Sequence, residues 1–427
     1  MTDTNSVIRD KKTAPTSLSL PRRILLADAD AFFVAVARMV DPEGAGKAEL
    51  LIVGGSRESR GVVCSASYET RKYGVRSAMP IAQALRLCPS AVCVPVPRAA
   101  CSKKSREIRT VLQRFAPIVE GASIDEWYLD LGGTESLYGN EPLDVTAQRI
   151  RAAVVEETGL TISIGGGTNK LVAKLAVEYA KPKYGANGVY IVPPGDEAKF
   201  MEQLNLADIP MIGPKFQEKL GKFGMRTVPD VLQYSLETLE RWFGAREARW
   251  LYDRVRGIDD RPVEGRGEAK SISRDETFAH DISDDSELEQ ELLRLVVRAA
   301  SDLRSSGIVA RTITVRIRDY DFKNRSASRT LPEPVMSDRI IYSEAKTLLH
   351  KLRSARRVPA RLLSVSLSSL AADPAADQLA LFETVRNVSQ ETEKDRIVAR
   401  TVDQLRAKFG NNAVLPLRLQ KKKGAEE

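Results

Sequence analysis

Acidic residues stand at two places where carboxylates could gather. Asp28 and Asp30 close a short apolar run over residues 24–27, and Asp125 and Glu126 sit in the stretch Ser123-Ile124-Asp125-Glu126-Trp127-Tyr128-Leu129-Asp130. Carboxylates brought together repel one another and call for a cation, and a pair of such ions can activate the attacking oxygen and steady the leaving oxygen of a phosphoryl transfer. From spacing alone the same residues read equally well as a strand-end turn and a solvated pair. Adjacent residues of a flat strand face opposite ways, so Asp125 and Glu126 share one site only where the backbone twists or turns. Softer metals have little to hold them: Cys64, Cys88, Cys93 and Cys101 lack CxxC spacing, and His280 and His350 are the chain's two histidines. A metal here is held by oxygen, which favours magnesium, with manganese as the substitute. On a helix expected from about Asn169, Lys170, Lys174 and Lys181 fall within about 40° of one another and form one basic stripe. The Gly165-Gly166-Gly167 run before it lacks the P-loop signature, so an ATPase reading has no support.

Regular elements must position these groups. Residues 24–27 read as a buried strand that delivers carboxylates at its C-terminal end, a strand pair surrounds residues 123–130, and a third strand over 161–164 runs through the glycines into the helix. Residues 196–257 are helical, broken by the turn Ile209-Pro210-Met211-Ile212-Gly213-Pro214-Lys215. A charged stretch from 259 to 270 reads as a linker. Beyond it, Ile313, Val315 and Ile317 alternate with Thr314, Arg316 and Arg318, and Leu363, Val365 and Leu367 with serines, so a sheet with one polar face is expected, its other face covered by helices over 287–305 and 343–353. The fold class is α+β and multidomain, and no repeated unit is found.

Composition agrees with that class. Of the 427 residues 43% are hydrophobic and 29% charged, and no apolar run reaches the roughly 20 residues of a membrane helix, so no membrane partner and a soluble, cytoplasmic protein are expected. The start lacks the basic and apolar regions of a secretory signal, and residues 1–21 read as a disordered leader. A formal charge of +8 favours a polyanionic partner.

Asp28-Ala29-Asp30-Ala31-Phe32-Phe33, Ser123-Ile124-Asp125-Glu126 and Asn169-Lys170-Leu171-Val172-Ala173-Lys174 with Ala180-Lys181-Pro182 together resemble the catalytic signatures of Y-family DNA polymerases, the low-fidelity translesion class, and the bacterial DNA polymerase IV branch in particular. The resemblance runs from Arg22 over nearly the whole chain. It implies template-directed addition of dNTPs to the primer 3′-OH, with two magnesium ions held by Asp28, Asp125, Glu126 and the Ala29 carbonyl; Asp30 stays structural. It further implies that Phe32, Phe33, Ser65, Tyr68, Arg71 and Lys181 bind the incoming nucleotide, Phe33 acting as the steric gate against a ribose 2′-OH. The 209–215 turn resembles a helix-hairpin-helix, with Met211 where glycine is common, and places Gly213 and Lys215 on a DNA phosphate. Arg311, Arg316, Arg318 and Arg329 are expected on the duplex backbone. Gln378, Leu379, Leu381 and Phe382 resemble the peptide by which bacterial polymerases dock on the sliding clamp.

The implied domains are a palm (22–30 and 97–190), fingers (31–96), a helical thumb (191–260), a linker (261–270), an α/β little finger (271–372) and a tail (373–427). A monomer is expected. Ala37 replaces a usual glutamate, and residues 183–186 are an insertion. The rivals are a non-catalytic homologue that adapts DNA to the clamp, and another palm-like enzyme such as a nucleotidyl cyclase.

Overall fold

The computed structural model describes residues 21–56, 60–182, 187–265, 267–373, 391–410 and 412–419. The leader, the 183–186 insertion and the clamp-like peptide lie outside the described residues. Of the described residues, 21–56 and 61–265 form one compact unit, and Arg60 with the residues from 267 onward the second.

In the first unit the apolar run is the middle strand of a five-stranded sheet, ordered Ile118–Gly121, Glu126–Asp130, Ile24–Ala29, Ile162–Gly167 and Val189–Ile191. Every residue from Ile24 to Ala29 is buried. An unbroken apolar strand needs cover on both faces, and it has it. Leu25, Ala27 and Ala29 pack into a core with residues of the helices Arg98–Leu112 and Leu143–Thr158, while Ile24 and Leu26 meet Ala173 and Val177 of the helix Lys170–Ala180.

The sequence reading ended the third strand at Ile164, but the strand continues through Gly165, Gly166 and Gly167, all buried. A Cβ on Gly165 would stand 2.1 Å from the Val177 nitrogen and 2.5 Å from the Ala173 oxygen, so glycine is what lets the lysine-bearing helix lie against the strand. That helix stops at Ala180. Lys181 is extended (φ −70°, ψ 149°), as a residue before proline is biased to be, so it leaves the stripe that helical spacing assigned to it.

A smaller three-stranded sheet, Val63–Ala66, Leu51–Gly54 and Val92–Pro95, has its own core around Ile52, Val75 and Ile81. The helical stretch forms as expected, with Pro214–Gly221, Leu236–Phe243 and Ala245–Val255 packed around Leu220, Leu239 and Leu251.

The second unit is a four-stranded antiparallel sheet in the order Asn324–Val335, Ile308–Asp319, Ala360–Ala372 and Ser271–Ile282. Ile313, Val315 and Ile317 join Leu363, Val365 and Leu367 in a core with the helices Asp285–Ser305 and Asp338–Ala355. Both helices start earlier than hydrophobic spacing indicated; Asp284 caps the first by accepting from the Glu287 amide at 2.9 Å. Within the region read as a tail, Glu393–Phe409 is a 17-residue helix opened by a capping box between Thr392 and Asp395. It is anchored to this unit by Arg304, which donates to Asp403 at 2.6 Å and to Asp338 at 2.7 Å.

Candidate active site

Antiparallel register sets Asp28 directly across from Glu126, so the two side chains leave the same face of the sheet as neighbours. Asp125 precedes the first residue of its strand and lies in the hairpin turn, where the alternation rule does not apply. The turn is tied to the central strand by the Ala29 amide, which donates to the Asp125 carbonyl at 2.9 Å. Ser123 Oγ donates to the Asp125 carboxylate and accepts from the Asp125 amide at 3.2 Å. Asp28 and Asp125 therefore reach one neighbourhood from a strand end and the adjoining turn, with Ala29 next to both.

That proximity sets the charges. Burial pushes the Asp28 carboxyl up to about 7; Lys181 and Lys174 oppose the shift, while Glu126 and Asp125 reinforce it by repulsion. Lys181 Nζ lies 3.3 Å from Asp28 and 2.6 Å from Glu178, and although burial disfavours its charge, these carboxylates hold the ammonium protonated. Lys174 Nζ donates to Glu126 at 2.5 Å. Lys170, the third lysine of the expected stripe, turns instead to Glu120 at 2.6 and 2.7 Å and covers the Tyr128 ring. With the lysines so engaged, no three carboxylate, imidazole or thiol groups among the described residues converge on one point. The donor set is nonetheless all oxygen and mutually repelling, with Asp28 buried and Asp125 and Glu126 half-buried, which suits a hard divalent cation.

After Asp28 the chain turns sharply. Ala31 takes φ +44° in the left-handed region, an uncommon choice for a residue with a Cβ, and starts the helix Phe32–Val40. Asp30 accepts from Ser163 Oγ at 2.7 Å. Phe32 is 2% exposed, so its ring belongs to the core; Phe33 is half-buried with its ring edge-on to Phe32 at 5.5 Å. Tyr68 lies within electrostatic reach of Asp30, Arg71, Lys181 and Asp28, and burial, reinforced by Asp30, raises its hydroxyl pKa. The Arg71 guanidinium stacks 4.9 Å over the Tyr68 ring while its Nε donates to the Ala66 carbonyl at 2.9 Å. Ser65 is buried in the strand opposite Val53. The sequence reading missed Glu178, which shares Lys181 with Asp28; its only signal was the i, i+3 spacing to Lys181.

The residues expected on DNA divide. Gly213 and Lys215 are exposed at the start of the helix Pro214–Gly221, and Met211 has φ +74°, which explains why glycine is common there. Arg316 and Arg318 stand with Thr314, Ser326 and Ser364 on the face of the second unit's sheet away from its helices. Arg311 is exposed at a register shift between Ala310 and Thr312. Arg329 pairs in register with Ile313, hence on the helix-covered face, and donates to buried Glu344 at 2.8 Å. It does not share a face with Arg316 and Arg318, because hairpin register, which strand alternation does not fix, sets its side.

Residues 27–178 match the impB/mucB/samB family, residues 269–381 that family's C-terminal domain, and residues 207–259 the thumb domain of DNA polymerase-iota. DNA polymerase IV of Desulfatibacillum aliphaticivorans is 36% identical over 396 residues, 93% of this chain and 96% of that one. DNA polymerase IV of Halorhodospira halophila is 39% identical over 349 residues, 82% and 95% of the two chains. Among solved structures, a Y-family DNA polymerase chimera, Dbh-Dpo4(243-245)-Dbh, superposes with a TM-score of 0.73 at 27% identity, covering 82% of this chain and all of that one. The insertion ternary complex of Dbh DNA polymerase gives a TM-score of 0.57 at 27% identity over the same shares.

Proposed function

The chain belongs to the Y family of DNA polymerases, alongside the DNA polymerase IV enzymes, and from that premise we propose that Asp28, Asp125, Glu126 and the Ala29 carbonyl hold two magnesium ions for nucleotide addition. The protein is a DNA-directed DNA polymerase of the low-fidelity, translesion class, acting on primer-template DNA and dNTPs with a divalent metal. The observation that carries the site assignment is the register that sets Asp28 beside Glu126 with Asp125 at the adjoining turn.

When bound, magnesium lowers the pKa of the primer 3′-hydroxyl and offsets charge on the triphosphate and departing pyrophosphate; manganese substitutes. The chain's own residues supply position. Tyr68, Arg71 and Lys181 hold the triphosphate, Arg71 through a guanidinium fork suited to phosphate oxygens. Lys181 already stands beside Asp28. Phe33 blocks a ribose 2′-OH, while Phe32 and Ser65, both buried, shape the pocket from behind.

The five-stranded sheet is the palm (22–30 and 97–190), the smaller sheet the fingers (31–96), the helical stretch the thumb (191–260) and the four-stranded sheet the little finger (271–372), with 261–270 as linker. The Gly213-Lys215 turn and Arg316, Arg318 and Arg311 contact phosphates without reading sequence. Gln378, Leu379, Leu381 and Phe382 dock a sliding clamp, which raises the enzyme's effective concentration at the primer end. The enzyme works as a monomer in the cytoplasm; no helix among the described residues is long and apolar enough to cross a membrane, and the four cysteines are unpaired thiols. The adaptor reading has no support, since the carboxylates are present and the relatives carry the name of a polymerase.

The test is Asp28→Asn and Glu126→Gln. Each is expected to abolish primer extension while leaving primer-template affinity within a few-fold of wild type; extension by either variant at the wild-type rate contradicts the assignment.

A further inference from the structure

The carboxylates assigned to the metal already have cations on them. Lys174 Nζ is 2.5 Å from Glu126, and Lys181 Nζ is 3.3 Å from Asp28. Both ammonium groups come from the helix Lys170–Ala180 or its C-cap, pressed against the sheet by the glycine strand. Lys170, one turn earlier, offers a contrast within the same element. It engages Glu120, outside the catalytic set, with both carboxylate oxygens, its side chain is only 9% exposed, and it stacks on Tyr128, so it is fixed in place. Lys174 and Lys181 are more open, at 29% and 17%, and Lys181 has a second carboxylate, Glu178 at 2.6 Å, to retain it once Asp28 is taken.

Each lysine sits on one oxygen of its carboxylate, and an ammonium and a divalent ion held by the same carboxylate repel strongly at that range, so occupancy by one disfavours the other. We propose that Lys174 and Lys181 are resident counter-ions of the metal site, and that metal enters by exchange with them. Lys174 thereby lowers the affinity of the empty enzyme for metal. Lys181, displaced from Asp28 but retained by Glu178, is left beside the site to meet phosphate oxygens. Metal binding and triphosphate binding are then coupled through one side chain, and the coupling is reciprocal. Lys174 is a positioning residue acting through Glu126. The inference rests on the assignment of Asp28, Asp125 and Glu126 as metal ligands.

The experiment is Mn2+ binding to the full chain without DNA or nucleotide, read as loss of the free-Mn2+ electron paramagnetic resonance signal. Wild type, Lys174→Gln, Lys174→Arg, Asp28→Asn and a charge-matched Lys219→Gln variant, altered in the thumb, are compared, with circular dichroism to verify folding. Removing the competing charge is expected to tighten Mn2+ binding by roughly tenfold in Lys174→Gln. Lys174→Arg should restore wild-type affinity and Lys219→Gln should leave it unchanged. Equal or weaker Mn2+ binding by Lys174→Gln, with Asp28→Asn still abolishing binding, overturns the exchange and spares the site. Mn2+ binding by Asp28→Asn as tight as wild type overturns the metal-site assignment beneath it.

Discussion

Met211 holds φ +74° with its side chain 79% exposed, so the backbone strain there is offset by little packing. A left-handed residue with a Cβ costs roughly 1–2 kcal/mol, part of which glycine returns to the unfolded chain as entropy. Met211→Gly is therefore expected to stabilise the protein by up to about 1 kcal/mol, seen as a higher midpoint in urea; a lower midpoint would contradict the strain. Asp259 carries a charge effect of opposite origin. Burial alone would raise its pKa, but hydrogen bonds and charge from Arg261 and Arg254 outweigh this and hold the carboxyl at about 2. Its folded pKa lies below the unfolded value of 3.8, so its contribution is present above about pH 4 and lost as pH falls toward 2. Asp259→Asn should cost on the order of 2 kcal/mol at pH 7 and much less near pH 2.5; an equal loss at both pH values would exclude the ion pairs as its source. At this scale the sequence marks residue types well and partners poorly. Met211 stands out as a departure from glycine, and Asp28 and Glu126 as candidates, but that Lys174 faces Glu126 while Lys170 faces Glu120 depends on helix placement.

That placement is a property of elements. Gly165 allows the helix Lys170–Ala180 to touch the strand, and a methyl group there has backbone atoms within 2.5 Å, which cannot yield as a side chain could. Gly165→Ala is expected to destabilise the fold by about 3 kcal/mol or more and to lower extension by moving Lys174 and Lys181; unchanged denaturation and activity would show that the contact is dispensable. The expected strand stopped before the three glycines because glycine weakens strands, and only the packed helix reveals why a strand keeps them. The second unit shows the converse. Alternation over 311–318 is legible because its period is fixed at two, whereas the side taken by Arg329 follows the register across the 319–324 connection. Arg316→Ala and Arg318→Ala should each weaken DNA binding and reduce the salt slope by about 1. Arg329→Ala should lose the Glu344 pair and some stability with no change in that slope; a slope equal to that of Arg316→Ala would move it to the DNA face.

For the whole molecule, an α+β first part, a helical stretch and a final sheet were legible in their periodicities, whereas palm, fingers, thumb and little finger followed from the resemblance carried by the signatures along the first part of the chain. The docked helix Glu393–Phe409 was not. Its late apolar spacing is visible in residues 402–409, but its anchor is Arg304, which bridges Asp338 and Asp403 from three separate helices. Charge balance is also a property of the whole chain: a net +8 sets general attraction to DNA, while the neighbouring carboxylates Asp28, Asp125 and Glu126 keep a local demand for cations. Those two features meet in one activity, and one assay reads it. Extension of a labelled primer on undamaged and lesion-bearing templates, with magnesium and dNTPs, compares wild type with Asp125→Ala. Synthesis by wild type on both templates and none by Asp125→Ala is the predicted result. Synthesis by Asp125→Ala, or inactivity of the wild type despite tight DNA binding, would contradict it.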